Sequence, residues 1–167
     1  QKKIKNILAI CWGMQVAVTA AGGVVNRGKN GAHRGIAHEI VINSDGLNHP
    51  IYKDKDKIFN TPAFNYDEVV TLPKDAILLS SNKVNNVMAL NFETEFSKIW
   101  GIQYHPEITY EKMITLIKFR RERLLENKSF SDEKDLESHI SMIEKEDKIT
   151  KKESRMRELK NWLDLIA

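Results

Sequence analysis

The chain has 167 residues, 41% of them hydrophobic, enough to bury one sizeable core with an extension. Its 26 basic and 23 acidic residues leave a formal charge of +3 with both signs interspersed, a balance too mild for a surface that tracks nucleic-acid phosphates. No apolar run approaches the roughly 20 residues that cross a bilayer, and a single cysteine excludes an internal disulfide, so a soluble protein of a reducing cytoplasm is expected.

Ile7 to Ile10 read as a buried strand that stops at Cys11, and Gln15 to Ala21 can begin a helix packed back onto the sheet. Gly13 is read as the residue that lets the backbone reverse between them. A sharp strand-to-helix turn of this kind lifts a sulfur above the carboxyl edge of a sheet, with a helix N-terminus behind it that favours thiolate over thiol. Taken alone, a lone cysteine after an apolar run is more often a small buried hydrophobe than a nucleophile.

The Gly22-Gly23 pair stops the helix. Asn26 to Gly35 is polar, with Gly28, Gly31 and Gly35 beside basic residues; lacking a Lys-Ser or Lys-Thr pair, it reads as a connecting loop rather than a phosphate cradle. A strand follows over Ile36–Ile42, closed by the turn signal Asn43-Ser44-Asp45-Gly46. His33, His38 and His49 are spaced too irregularly for a metal site. The alternating charges of Lys53 to Lys57 read as a solvated loop, and Ile58 to Phe64 as a strand interrupted by Pro62.

Ala76–Ser81 and Val87–Phe92 have strand length with turn residues between them, and they read as a hairpin leading to Ile99–Tyr104. That last run ends in His105-Pro106-Glu107. Pro106 stops the strand, and a carboxylate two residues after a histidine can turn back and hold the imidazole.

Beyond Glu107 the pattern turns helical. Tyr110–Leu125 places Met113, Leu116, Ile117 and Leu124 near one face, with Arg120 and Arg121 read as part of a solvated one. Lys128–Asp147 carries Leu136, Ile140 and Ile143 at helical spacing. Thr150–Ala167 carries Met156, Leu159, Trp162, Leu163 and Ile166 as an apolar stripe, expected to pack on the domain or on a second copy.

The two polar-tipped runs resemble the class I glutamine amidotransferases. Cys11-Trp12-Gly13-Met14-Gln15 is similar to the Cys-aromatic-Gly-Met-Gln elbow of the GMP synthase-like amidotransferase domains. Gly101 to Thr109 is similar to their Gly-Val-Gln-Phe-His-Pro-Glu-Val-Thr, and Gly22–Val25 and Asp67–Pro73 fit the pattern in order between them. The resemblance covers the chain from about Ile4 to about Lys118. It implies an α/β fold, a flavodoxin-like sheet with flanking helices, in which 1–125 form the amidotransferase-like domain and 126–167 a charged helical extension. The family's first strands, and a Gly-rich loop that donates one backbone N–H to the oxyanion, stand upstream of the elbow. No counterpart precedes Ile7 here, so a shortened or decayed relative is expected. Phe64-Asn65-Tyr66-Asp67 replaces the family's Ser-His ahead of Gly-Asp, which alters the side chains around the backbone that contacts the glutamine α-amino and carboxylate groups.

The resemblance further implies Cys11 as nucleophile, His105 as its base and Glu107 as the group orienting His105, with Trp12, Gly13 and Gln15 contacting substrate and no metal or cofactor. L-glutamine would be hydrolysed to glutamate, and the ammonia passed to a partner synthase; an oligomer is compatible with this. Two other readings fit the same residues: a γ-glutamyl amide hydrolase that needs no acceptor, and a truncated, non-catalytic relative.

Overall fold

Alternation of apolar residues in two distant runs pairs them at one end of the main sheet. The computed structural model describes residues 5–167; Gln1–Ile4, where the resemblance to the family begins, lie outside them. β1 (Lys5–Ile10) lies parallel to β10 (Ser97–Ile102), with Leu8 opposite Trp100 and Ile10 opposite Ile102. Leu8, Ile10, Trp100 and Ile102 turn to one face of the sheet, and Ala9 and Ile99 turn to the other.

The remaining strands join in antiparallel fashion. β4 (Ala37–Ile42), β5 (Ile58–Thr61), β8 (Ile77–Ser81) and β9 (Ala89–Glu93) complete a six-stranded sheet of order β1-β10-β9-β8-β4-β5. The β8–β9 hairpin leads into β10 as its sequence suggests. Part of the stretch read as a loop is extended instead: β2 (Val24–Arg27) pairs with β7 (Asp67–Thr71), and β3 (His33–Arg34) pairs with β6 (Phe64–Asn65). Glycine spacing hides these short pairings, which are fixed by partners 30 to 47 residues away rather than by local pattern.

Helix α1 (Trp12–Ala20) covers the face bearing Ala9 and Ile99, inserting Met14 and Val18 among Leu90, Phe92 and Val69. It closes on Gly22 in the left-handed region at φ +84°, whose successor donates its N–H to Val18 O at 2.9 Å. The turn expected after β4 tightens into a short helix, α2 (Ser44–Leu47), because the Asn43 side chain accepts the Gly46 N–H at 2.8 Å. A 3-10 turn over Pro50–Tyr52 lies on the opposite face of the sheet.

The helix expected over Tyr110–Leu125 is two helices, α3 (Tyr110–Phe119) and α4 (Arg121–Glu126). They break at Arg120, whose N–H is shared between the Leu116 and Ile117 carbonyls. Arg121 stays at the surface as expected and is paired there with Glu133 and Glu137 of α5 (Glu133–Ile149), while the Arg120 guanidinium lies over the Phe64 ring. Leu136, Ile140 and Ile143 of α5 are buried with Ile36, Tyr110, Ile114 and Ile117 as their spacing requires.

The last two helices depart furthest from expectation. In α6 (Lys152–Arg155) and α7 (Arg157–Ile166) the buried residues are Arg155, Glu158 and Asn161, while Leu163 and Ile166 of the expected apolar stripe are exposed and Trp162 alone packs on the sheet-face cluster. The partner of this polar face is Lys55, buried although it lies in the charge run read as solvated. A charge can be buried where an opposite one meets it, and no local pattern on either segment shows that the two will meet.

Candidate active site

Parallel pairing of β1 and β10 ends both strands at the same edge, and it continues for one step past them: Cys11 N–H donates to Ile102 O at 2.7 Å. Cys11 and the segment that follows Ile102 are thereby brought together across some ninety residues of chain. The chain reverses at Cys11 itself, which has φ 52° and ψ −111°, a strained region for a residue with a Cβ. Gly13, where composition places the reversal, instead sits within α1, where a Cβ would meet no atom within 4 Å.

The sulfur is half-buried and stands at the N-terminus of α1, where the first N–H groups, that of Trp12 among them, have no acceptor inside the helix. His105 is its neighbour. Glu107 Oε1 lies 2.7 Å from His105 Nδ1, leaving Nε2 for the thiol. Burial opposes charge on this imidazole, but hydrogen bonds from Cys11 and Glu107 and their negative charge outweigh it, and the ring is raised from 6.5 to about 9. That places an imidazolium beside the sulfur at neutral pH.

β10 ends at Ile102, four residues before Pro106 and short of the expected Tyr104, and His105 N–H donates to Pro62 O at 2.8 Å, anchoring the segment to the loop between β5 and β6. That loop leads into the Phe64 carbonyl, 3.9 Å from the Cys11 sulfur.

Gln15, on the first turn of α1, donates its amide to Asp67 O at 2.9 Å and to Gln103 Oε1 at 3.1 Å. Trp12 is 74% exposed at the mouth of the same region, over a shallow hollow lined by Trp12, Gln15, Val16 and Asp67. Cys11, His105, Glu107, Trp12, Gly13 and Gln15 thus occupy one neighbourhood, the first three in a chain of contacts and Gln15 two hydrogen bonds from the sulfur.

Gln103 is a residue that sequence reasoning misses. It is fully buried, and its Nε2 donates to the Cys11 sulfur at 3.4 Å while its oxygen accepts from Gln15. Its position two residues before His105, polar in an otherwise apolar run, is the available signal. From Gln15 the network continues through Asp67 O to Asn65, which joins His33 at 2.8 Å and Asn85 at 2.9 Å; Asn85 in turn meets the buried Glu68 at 3.2 Å. Burial lowers the His33 pKa, against hydrogen bonds from Asn65 and Asn82, and the neutral ring fits its two amide neighbours. No cluster of three or more His, Cys, Asp or Glu among the described residues could hold a metal ion. No helix among them is long and apolar enough to cross a membrane.

Comparison with known proteins adds to this geometry. A sequence model described as glutamine amidotransferase class-I matches residues 2–121. Gamma-glutamyl-L-1-hydroxyisopropylamide hydrolase of a Pseudomonas species is 29% identical over 180 residues, covering 96% of this chain and 61% of its own length. One of the subunits of the glutamine-hydrolysing GMP synthase of Methanosarcina acetivorans is 32% identical over 106 residues, covering 64% of this chain and 52% of its own. The crystal structure of a glutamine amidotransferase from Thermotoga maritima superposes with a TM-score of 0.68 at 21% identity, covering 95% of this chain and 61% of that one. The chain therefore spans between half and two thirds of the length of these relatives.

Proposed function

The chain belongs to the class I glutamine amidotransferases, and from that premise we propose that it hydrolyses the side-chain amide of glutamine, with Cys11 as nucleophile, His105 as acid and base, and Glu107 holding His105. The observation that carries this reading is the contact set at one sheet edge: sulfur against imidazole, imidazole against carboxylate at 2.7 Å.

In the proposed reaction the Cys11 thiolate attacks the γ-carbonyl carbon, forming a C–S bond and a tetrahedral oxyanion that the Trp12 N–H faces. The His105 imidazolium gives its proton to the departing nitrogen as the C–N bond breaks, and ammonia leaves. A water then gives its proton to His105 and its oxygen to the thioester carbon. The C–S bond breaks, and glutamate is released with the thiolate restored. Gln15 and Gln103 hold the pocket wall beside the sulfur. Ammonia would pass to a synthase partner, and residues 1–125 would serve as the domain that produces it, with 126–167 as an added helical layer.

A second reading has its own support. The Pseudomonas hydrolase aligns with 96% of this chain, whereas the synthase relative aligns with 64%. A γ-glutamyl amide with a bulkier amine as leaving group would be cleaved by the same steps without an acceptor protein.

One experiment tests both readings. L-glutamine and a γ-glutamyl alkylamide are each incubated with the chain and with Cys11→Ala, glutamate release is followed, and a glutamine-like chloro ketone is used to trap Cys11 for mass spectrometry. Labelling at Cys11 with glutamate release from glutamine supports the first reading, and release from the alkylamide alone supports the second. A folded sample that neither labels nor turns over overturns both and leaves the non-catalytic relative.

A further inference from the structure

The polar face of α6 and α7 is buried against the segment that carries His105 and Glu107. Arg155, 7% exposed, donates through Nη1 to Pro106 O and to Ile108 O, the latter at 2.9 Å; these carbonyls flank Glu107 on either side. Glu158, fully buried, accepts the Tyr104 hydroxyl at 2.7 Å, and Tyr104 immediately precedes His105. The helices are themselves anchored. Asn161 donates to the Ile51 and Lys53 carbonyls at 2.8 and 2.9 Å, and Lys55 meets Glu158 at 3.1 Å and Ser154 O at 2.7 Å. Residues 104, 106 and 108 are thus held from α6 and α7, while 105 and 107, between them, form the imidazole–carboxylate pair beside the sulfur.

We propose that α6 and α7 form a clamp on the His105–Glu107 segment, in which Arg155 is a positioning residue that fixes the carbonyls on both sides of Glu107 and through them the carboxylate against His105. The proposal rests on the reading of Cys11, His105 and Glu107 given above. Its physical basis is that the Glu107 side chain is 38% exposed, so packing holds it little and its place is set by its backbone. Both carbonyls accept from the one Nη1, whose two N–H groups lie in the rigid guanidinium plane and so fix the directions from which the carbonyls approach it. Docking two helices needs no buried cation; apolar side chains would serve without the desolvation cost. Arg155 and Glu158 lie outside the residues 2–121 matched by the family model. The charged or titratable groups that meet His105 are Cys11 on one side and Glu107 on the other, and the clamp acts on the second.

The test is the titration of the His105 ring, followed by its proton resonances in the full chain, which needs no knowledge of substrate. The parent ring is expected to titrate near 9, and Arg155→Ala to bring it down toward 6.5 as the carboxylate loses its place against the imidazole. Guanidinium ion at low concentration restores the parent value, and Arg155→Lys, whose ammonium can donate to both carbonyls, stays near it. An Arg155→Ala ring that titrates with the parent overturns the clamp. Where the alanine variant does not fold, Arg155→Met, which keeps the stem and loses the donors, takes its place, and a ring that titrates with the parent there overturns the clamp likewise. A parent ring that titrates near 6.5 instead overturns the pairing of His105 with Glu107 and Cys11, and with it the proposed function.

Discussion

The Gln103 amide points its N–H at the Cys11 sulfur from 3.4 Å while Gln15 holds its oxygen, so the direction of the amide is fixed by its other partner. A donor aimed at the sulfur favours the negative form. Gln103→Leu is expected to slow alkylation of Cys11 at neutral pH several-fold and to lower stability by about 1–2 kcal/mol, since Gln15 loses one buried acceptor. Gln103→Glu, which sets a carboxylate against the thiolate, should slow alkylation further. Equal rates in the parent and both variants would remove Gln103 from the site.

The His105 ring should titrate near 9 when followed by its proton resonances, and Glu107→Gln should bring that value down toward 6.5. The folded value lies above the unfolded one. The imidazolium therefore contributes stability that is complete below about 6.5 and is lost as pH rises through about 9. Urea unfolding should show the parent more stable than Glu107→Gln at pH near 6, with the gap closing in alkali.

His49 moves the other way. Burial against Trp100 lowers it to about 4, and its Nδ1 accepts the Ile51 N–H at 3.2 Å, which a proton there would forbid. A folded value below the unfolded one means that stability is complete above about 6.5 and is lost as pH falls toward about 4. His49→Gln should flatten that acid limb in thermal unfolding measured across this range.

Gly101 lies under α1, where a Cβ would stand 2.7 Å from Met14 Cγ and 3.1 Å from Leu90 Cδ1. Gly101→Ala should cost about 1–3 kcal/mol through overpacking and lift the helix that carries the elbow. Denaturant unfolding combined with the Cys11 alkylation rate would register both effects, and an unchanged midpoint would contradict this close approach.

Lys55 and Glu158 form a buried pair at 3.1 Å, with Glu158 also taking the Tyr104 hydroxyl. Glu158→Leu leaves an ammonium without its counter-charge and should cost about 3–5 kcal/mol. Adding Lys55→Met should return a large share of that loss, and a double variant no more stable than the single one would show that the pair is not coupled. The measurement is the urea midpoint of the three chains.

Much of the sheet and part of the site can be read from residue order because both rest on local signals. The apolar runs before Cys11 and before His105 are bounded by a turn and by a proline, and a carboxylate two residues past a histidine lies within its reach. What local pattern hides depends on partners distant in the chain. Lys55 looks solvated because its neighbours are charged; its burial depends on Glu158, more than a hundred residues later. Likewise α7 is marked in the sequence by its leucines, whereas the face it buries is polar. Gln103 passes as one more strand residue because an amide carries no periodic mark. Composition assigns the reversal to Gly13, although the left-handed conformation falls on Cys11, a strain that surrounding contacts impose.

The parallel register of Ile10 with Ile102 also fixes an order of events in biosynthesis. The strand that ends at the thiol leaves the ribosome some ninety residues ahead of its neighbour, so the nascent polypeptide carries this strand unpaired with β10 until that neighbour follows. In the proposed mechanism the late arrival of the imidazole, rather than the presence of the sulfur, would switch reactivity on.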